Sequence, residues 1–376
     1  MVSNPFIFVF AIIFTVFGIK YFEKQTKARF FEYVPSVVII YFAMMAIGNL
    51  RLFDAKIIKD FGSLKNHILP AMIFLMLLGS DLKSIYKIKT KLIVSFFVTS
   101  ITIMSAFVVM WLIMGDYFIH DAHKAFGALC GSWVGGTANM IAVAGAVGLE
   151  GDLMGYCLIT DSVCYAAWFA FLLFLTPHKK RFNAWTKADE VTSAPVSENR
   201  ASGFKAVDAY ALMAAAVFAP LVVYVSSFLP VFSFVTSSFW IVVIATIFGI
   251  AASFTSLRRS VYSGKTGFWL LYFLIALIAV SSAFDDFSQA WLFVLAGFLV
   301  IGLHALFLVT YAKLFRIDLF TIGVASLANI GGVASAPLLA ASFSKNLVSV
   351  GVIMSMMGYI IGTFCGLFVV YVLSLI

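Results

Sequence analysis

Gly131-Ser132-Trp133-Val134-Gly135-Gly136-Thr137-Ala138-Asn139 breaks one long apolar run of this chain, and Ser326-Leu327-Ala328-Asn329-Ile330-Gly331-Gly332-Val333-Ala334-Ser335 breaks another. The two patches correspond in position. Gly135 and Gly331 lie 196 residues apart (331 − 135), and the same offset pairs Gly127 with Gly323, Gly136 with Gly332, and Gly155 with Gly351. A helix interrupted inside a bilayer leaves backbone N–H and C=O groups without partners, which is tolerated only where they line a cavity or are buried in protein. A matched pair of interrupted segments, one in each half, is the sequence pattern of a secondary transporter's binding site. The plainer alternative is close packing, since small residues are common where membrane helices meet.

Composition agrees with a membrane setting. The chain is 63% hydrophobic and 11% charged, with a mean hydropathy of +1.06, whereas soluble domains carry roughly 25% charged residues. Apolar runs long enough to cross a bilayer recur throughout. The net charge of +8 therefore points to basic cytoplasmic loops rather than to nucleic acid, and no basic, aromatic-lined groove is evident. Met1 to Phe10 lacks the basic region of a cleavable signal peptide, so its apolar run to Ile19 reads as the first span. Cys130, Cys157, Cys164 and Cys365 sit in apolar segments without metal-ligand spacing and read as small core residues.

We count about twelve apolar segments by hydrophobic pattern. The polar stretch from Pro177 to Asp208 reads as a flexible linker. It divides the chain into an N-terminal repeat over 1–176, a hydrophilic linker over 177–206 and a C-terminal repeat over 207–376. In each half a short span (66–80, 266–283) precedes a long uncharged one (92–115, 291–312), and the broken segment follows. Basic residues on alternate loops of the second half (Arg258, Arg259 and Lys265, then Lys313 and Arg316) predict that these loops and the linker are cytoplasmic and the C-terminus inside. The first half does not alternate: Lys20, Lys24, Lys27 and Arg29 fall on one side, Arg51, Lys56, Lys59 and Lys65 on the other, and Lys83 to Lys91 on the first again. Two halves of six spans would be parallel, whereas an inverted repeat needs an odd number. The short run 66–80 is the expected segment that fails to cross.

Several residues can carry chemistry. Gly135 and Gly136 let the backbone unwind, and Thr137 and Asn139 place side-chain oxygens beside them. Ser326, Asn329 and Ser335 surround Gly331 and Gly332, and Pro337 has no N–H to extend the helix backward. Unwound carbonyls suit a cation, and half-helix N-termini suit a carboxylate. Asp161, between Thr160 and Ser162 in the next span, is an acid at membrane depth and so a candidate cation ligand or proton carrier; the alternative is a structural hydrogen bond. Its counterpart is Met357, which makes any cation site asymmetric. His304, deep in its span, is a candidate proton relay or a satisfied packing residue. Asp81, Asp285 and Asp286 sit at span ends and Glu150 and Asp152 at a tight turn. No nucleotide loop, metal cluster or nucleophile–base pair is visible, so neither an enzyme nor a cofactor is expected.

Gly131 to Asn139, the following Ala142-Val143-Ala144, and Asn329-Ile330-Gly331-Gly332 resemble an uncharacterised family of multi-span membrane proteins, domain of unknown function 819, over nearly the whole chain. That family in turn resembles the superfamily of bile-acid/sodium symporters, sodium/glutamate symporters and cation–proton antiporters. The resemblance implies an all-α integral membrane fold of 10–12 helices in two inverted repeats. It also implies a panel domain able to support a homodimer, and a core domain where two broken helices cross. Carried over by residue, it implies a sodium or proton site at Thr137, Asn139, Asp161 and Asn329. The sequence departs from the antiporters in having no adjacent pair of mid-span acids. The expected activity is a cation-coupled secondary transporter of a small anionic or zwitterionic solute such as an amino acid, short peptide or carboxylate, in a bacterial cytoplasmic membrane. A monovalent cation–proton antiporter and a non-transporting sensor or scaffold are the alternatives.

Overall fold

The computed structural model describes residues 4–26, 31, 35–78, 89–149, 151–189, 205–231, 236, 238–281, 289–344 and 347–376, without the side chains of Val333 and Ala334. Asp81, Glu150, Asp285 and Asp286 lie outside these residues. The fold is all-helical. In chain order the helices are α1 (Pro5–Thr26), α2 (Ser36–Asn49), α3 (Ala55–Gly62), α4 (Lys65–Leu78), α5 (Thr90–Met114), α6 (Ala122–Gly135), α7 (Thr137–Val147), α8 (Asp152–Leu175), α9 (Lys179–Thr186), α10 (Ala206–Ser226), α11 (Ser238–Ser253), α12 (Tyr262–Ala279), α13 (Ala290–Phe315), α14 (Leu319–Ile330), α15 (Gly332–Phe343) and α16 (Val348–Leu373). Eight stretches are long and apolar enough to cross a membrane, and the chain is an integral membrane protein on that ground. The 196-residue offset holds at element level: α8 begins at Asp152 and α16 at Val348 (348 − 152).

The chain forms two compact units, and neither follows the halves of the sequence. Unit one comprises Met1–Ser80, Ala144–Val163 and Ala201–Phe293; unit two comprises Asp81–Val143, Cys164–Arg200 and Val294–Ile376. Unit one is centred on α4, whose residues from Met72 to Leu78 are all buried. A helix apolar on every face must be covered on every face, and α10, α11 and α12 supply the cover. Glycines let them approach: a Cβ on Gly267 would lie 2.5 Å from Met76 Cγ, and one on Gly249 2.9 Å from Leu77 Cβ. The packing repeats between the halves. As α10 and α11 pack on α4, so α1 and α2 pack on α12, and α4 meets α12. Asp208 pins the start of α10 to the start of α12: its buried carboxylate accepts from Ser260 Oγ (2.7 Å) and from the N–H groups of Val261 (2.8 Å) and Tyr262 (3.0 Å).

Unit two contains both breaks, and each is a reversal rather than a crossing. A Cβ on Gly131 in α6 would lie 3.0 Å from Val143 Cγ2 in α7, although a continuous helix would separate these positions by about 18 Å. Likewise the rings of Phe320 and Phe343, at the open ends of α14 and α15, are 5.5 Å apart, against about 35 Å along a straight helix. Thus α6–α7 and α14–α15 are helical hairpins with tips at Gly135-Gly136 and Gly331-Gly332. The expected crossing of two broken helices is corrected accordingly. Gly136 and Gly332 have φ of +87° and +62°, a backbone that residues with a Cβ rarely adopt.

A hairpin leaves on the side it entered, so the broken segment of each half is not a crossing. That leaves five apolar stretches per half, four of them long enough to cross and one shorter (α2 or α11), the odd number that an inverted repeat requires. Helices α3 and α4, which contain the run 66–80, form one stretch of crossing length (Ala55–Leu78), so that run is not the missing crossing. Contacts within unit two agree. Lys91 bonds the Arg316 carbonyl (3.4 Å) and Thr176 Oγ1 lies 3.2 Å from Ser342 Oγ, which gathers residues 91, 176, 316 and 342 at one end. The C-terminus, expected inside, falls on the side opposite the linker. Within unit two, Lys91, Lys313 and Arg316 share one end with the start of the linker, Lys313 lying over the Trp185 ring.

The opening of the linker is structured. Its α9 docks by its own side chains: Asn183 Oδ1 accepts the Leu319 N–H (2.9 Å), and Lys313 Nζ lies 4.5 Å from the Trp185 ring centroid. Asp318 N-caps α14 by accepting from Thr321 N–H (3.0 Å).

Candidate functional site

The two hairpin tips form the candidate site. They enter unit two from opposite ends, because α6 runs beside the C-terminal half of α16 while the open end of α14–α15 lies by Thr176 and the start of α16. Three glycines of α6 and three of α16 let the first hairpin lie backbone to backbone on that helix. A Cβ on Gly358 would lie 2.4 Å from the Val134 carbonyl oxygen, one on Gly362 2.8 Å from Gly135 Cα, and one on Gly366 2.7 Å from the Gly127 carbonyl oxygen. Small residues every four positions, Gly127/Gly131/Gly135 and Gly358/Gly362/Gly366, are the pattern for such close approach. That spacing was legible and carries the packing that the tip rests on.

Asn139 closes the first tip. Its Nδ2 donates to the Gly135 carbonyl at 2.7 Å, and its Oδ1 accepts from Thr363 Oγ1 at 2.6 Å. The Gly136 N–H reaches the Ser132 carbonyl at 2.6 Å. Thr137 opens α7 and is half-buried. Tyr359 of α16 faces the turn, its Cε1 3.6 Å from where a Gly136 Cβ would stand.

The second tip is held differently. Asn329 donates from Nδ2 to the Ala325 carbonyl (2.8 Å) and accepts from Ser100 Oγ (2.7 Å). Ser335, the counterpart of Asn139 (335 − 139 = 196), is buried, and its Oγ has no hydrogen-bond partner. It crowds the turn: a Cβ on Gly331 would lie 2.0 Å from that oxygen and 2.7 Å from Tyr165 Cε2 of α8. Each tip thus meets a tyrosine from the helix that closes a repeat, Tyr359 or Tyr165. Sequence reasoning missed both tyrosines, and Thr363 and Ser100 too, since nothing in one sequence brings α16 to α6 or α5 to α14.

Ser326 lies a turn and a half before the second tip and belongs to a closed network with His304. Trp168 Nε1 donates to Ser326 Oγ (2.9 Å), which is 2.8 Å from His304 Nε2; His304 Nδ1 is 2.9 Å from Thr102 Oγ1, which donates to the Thr99 carbonyl (2.7 Å). Since the Thr102 proton is engaged, Nδ1 carries the imidazole proton and Nε2 accepts from Ser326. Every proton in this network has an acceptor.

Asp161 falls in the part of α8 that belongs to unit one and is half-buried. Beside it the Thr160 hydroxyl is buried without a hydrogen-bond partner, while Ser162 Oγ donates to the Leu158 carbonyl (2.9 Å). Among the described residues no three His, Cys, Asp or Glu side chains are grouped to hold a metal ion.

Chemically, each tip offers two opposite ends. The last carbonyls of α6 and α14 carry partial negative charge, and the first N–H groups of α7 and α15 partial positive charge. A tip can therefore receive an anionic group at one strand of the hairpin and a cation at the other.

The family described as protein of unknown function (DUF819) matches residues 7–376. The chain belongs to this family. No individually curated protein matches the sequence. The membership of this DUF819 chain thus agrees with its helical membrane architecture and leaves the activity to be read from the site.

Proposed function

We propose that this protein is a cation-coupled secondary transporter of a small anionic or zwitterionic organic solute, such as an amino acid, short peptide or carboxylate. The observation that carries this reading is the pair of opposed hairpins whose glycine tips meet mid-helix tyrosines inside unit two. An inverted repeat gives a chain two related arrangements, one open to each side, by exchange of roles between its halves. In this reading the amide ends of α7 and α15, with Thr137, Ser335 and the glycine backbone of both tips, take the negative group of the solute. Asn139, Asn329, Ser326, Gly135, Gly136, Gly331 and Gly332 shape the tips. Asp161, with the Thr160 hydroxyl next to it, supplies charge for sodium or a proton. His304 holds Ser326 in place.

The test is uptake into proteoliposomes, guided by a thermal-shift screen of amino acids, dipeptides and carboxylates with sodium or potassium at two pH values. A ligand that binds only the folded state raises the melting temperature by mass action. One solute that stabilises the protein and is accumulated against an imposed ion gradient supports the reading. Flux indifferent to any ion gradient, with Asp161→Asn fully active, removes the coupling. A pH change on adding sodium or potassium with no organic solute present favours the antiporter instead.

A further inference from the structure

We propose that the corner of unit one between α2, α3 and the end of α12 is a binding site for a phosphate-bearing anion. A cavity of about 570 Å³ opens there, lined by Asn49, Arg51, Lys59, Lys65 and Ser281 among others, with no carboxylate among the described residues of its wall. The wall is built rather than incidental. Gly48 of α2 sits so close to α12 that a Cβ would lie 2.2 Å from the Val280 carbonyl oxygen, so the two backbones meet at the cavity. Arg51 follows directly with φ of +50°, a left-handed backbone uncommon for a residue with a side chain.

Helix α3 is amphipathic and lies against the protein by one face. Phe61 packs on Phe8 with ring centroids 5.3 Å apart, and Ile57 is buried. Lys59 then points to the cavity side, while the Asp54 carboxylate is engaged by the Lys56 N–H at 2.9 Å, capping the helix. Neither Arg51 nor Lys59 has an ion pair among the described residues.

Arg51, Lys59 and Lys65 bring three basic side chains to one opening, and the described residues of its wall add the Asn49 amide and the Ser281 hydroxyl. An anion suits that set. An arginine fork pairs with two phosphate oxygens at once, and lysines add point charges. The anion can come from a phospholipid headgroup or from a soluble phosphate.

The experiment uses the full-length protein and reads no transport, so it is independent of the transporter reading. The protein in neutral detergent is titrated with inorganic phosphate, and separately placed in phosphatidylcholine nanodiscs with and without phosphatidylglycerol; melting temperature is followed in each. The expected result is a rise with at least one source, and an apparent affinity weakened about tenfold or more in the Arg51→Gln/Lys59→Gln double variant. Lys56→Gln, outside the cavity wall, leaves it unchanged. A rise with phosphate assigns a soluble anion, and a rise with phosphatidylglycerol alone assigns a headgroup. No rise with either, or an equal loss in Lys56→Gln, overturns the site.

Discussion

Asn139 and Ser335 occupy the same place in the two repeats and do opposite things. Asn139 uses both ends of its amide, whereas the Ser335 hydroxyl is buried and bonds to nothing. Asn139→Ala strands the Thr363 hydroxyl and the Gly135 carbonyl, and is expected to cost about 1–3 kcal/mol, the range for leaving buried polar groups unpaired, read as a lower melting temperature. Ser335→Ala removes a group that gains nothing in the empty protein, so its melting temperature should stay level or rise. In the transporter reading the same variant loses solute-induced stabilisation. Ser335→Ala with normal melting and normal ligand response would remove Ser335 from the site.

At the level of elements, the two glycine ladders carry the first hairpin. Gly362→Ala pushes a methyl group against Gly135 Cα and N, 2.8 and 2.9 Å away. Overpacking of this kind costs about 1–3 kcal/mol. Gly302→Ala in α13 meets open space and should be neutral or stabilising by about 0.5–1 kcal/mol, since glycine weakens a helix interior. Thermal denaturation of the two variants in one detergent gives the comparison; equal melting temperatures would show that the ladder is not close-packed. These elements also mark what one sequence discloses. The positions of the breaks were legible, because Gly135-Gly136 and Gly331-Gly332 interrupt apolar runs at a common offset. Whether the chain crosses or turns back was not, because a Gly-Gly pair permits both and the choice rests on contacts such as Phe320 with Phe343, 23 positions away (343 − 320). The parity conflict signals that not every apolar segment crosses; the run 66–80 looks short by itself, whereas with α3 it belongs to a stretch of crossing length, Ala55–Leu78. The linker's opening read as flexible because Lys179, Lys180 and Arg181 are polar; its helix exists through Asn183 and Trp185 docking on α14 and α13.

For the whole molecule, topology is the statement most open to test. Single cysteines at Leu52, Ser256 and Ser374, all exposed, introduced with the four native cysteines replaced, can be labelled by a membrane-impermeant maleimide. Five crossings per half put residues 52 and 374 on one side and residue 256 on the other. Labelling of all three from the same side would mean six crossings per half and would undo the hairpins.

The glycine contact between α6 and α16 has a mechanical meaning as well. Interlocked backbones have no rotamers with which to absorb a displacement, so sliding one past the other would have to be concerted along the whole ladder. The first hairpin and α16 therefore travel as one lever. The second hairpin meets α16 by such an approach at Gly351, where a Cβ would stand 2.7 Å from the Ala336 carbonyl oxygen, while its own two arms face each other through side chains, Leu339 beside Gly323 and Phe343 beside Phe320. A matched pair of hairpins is thus gripped unequally: α16 holds the first along three glycines, Gly358, Gly362 and Gly366, and the second at Gly351.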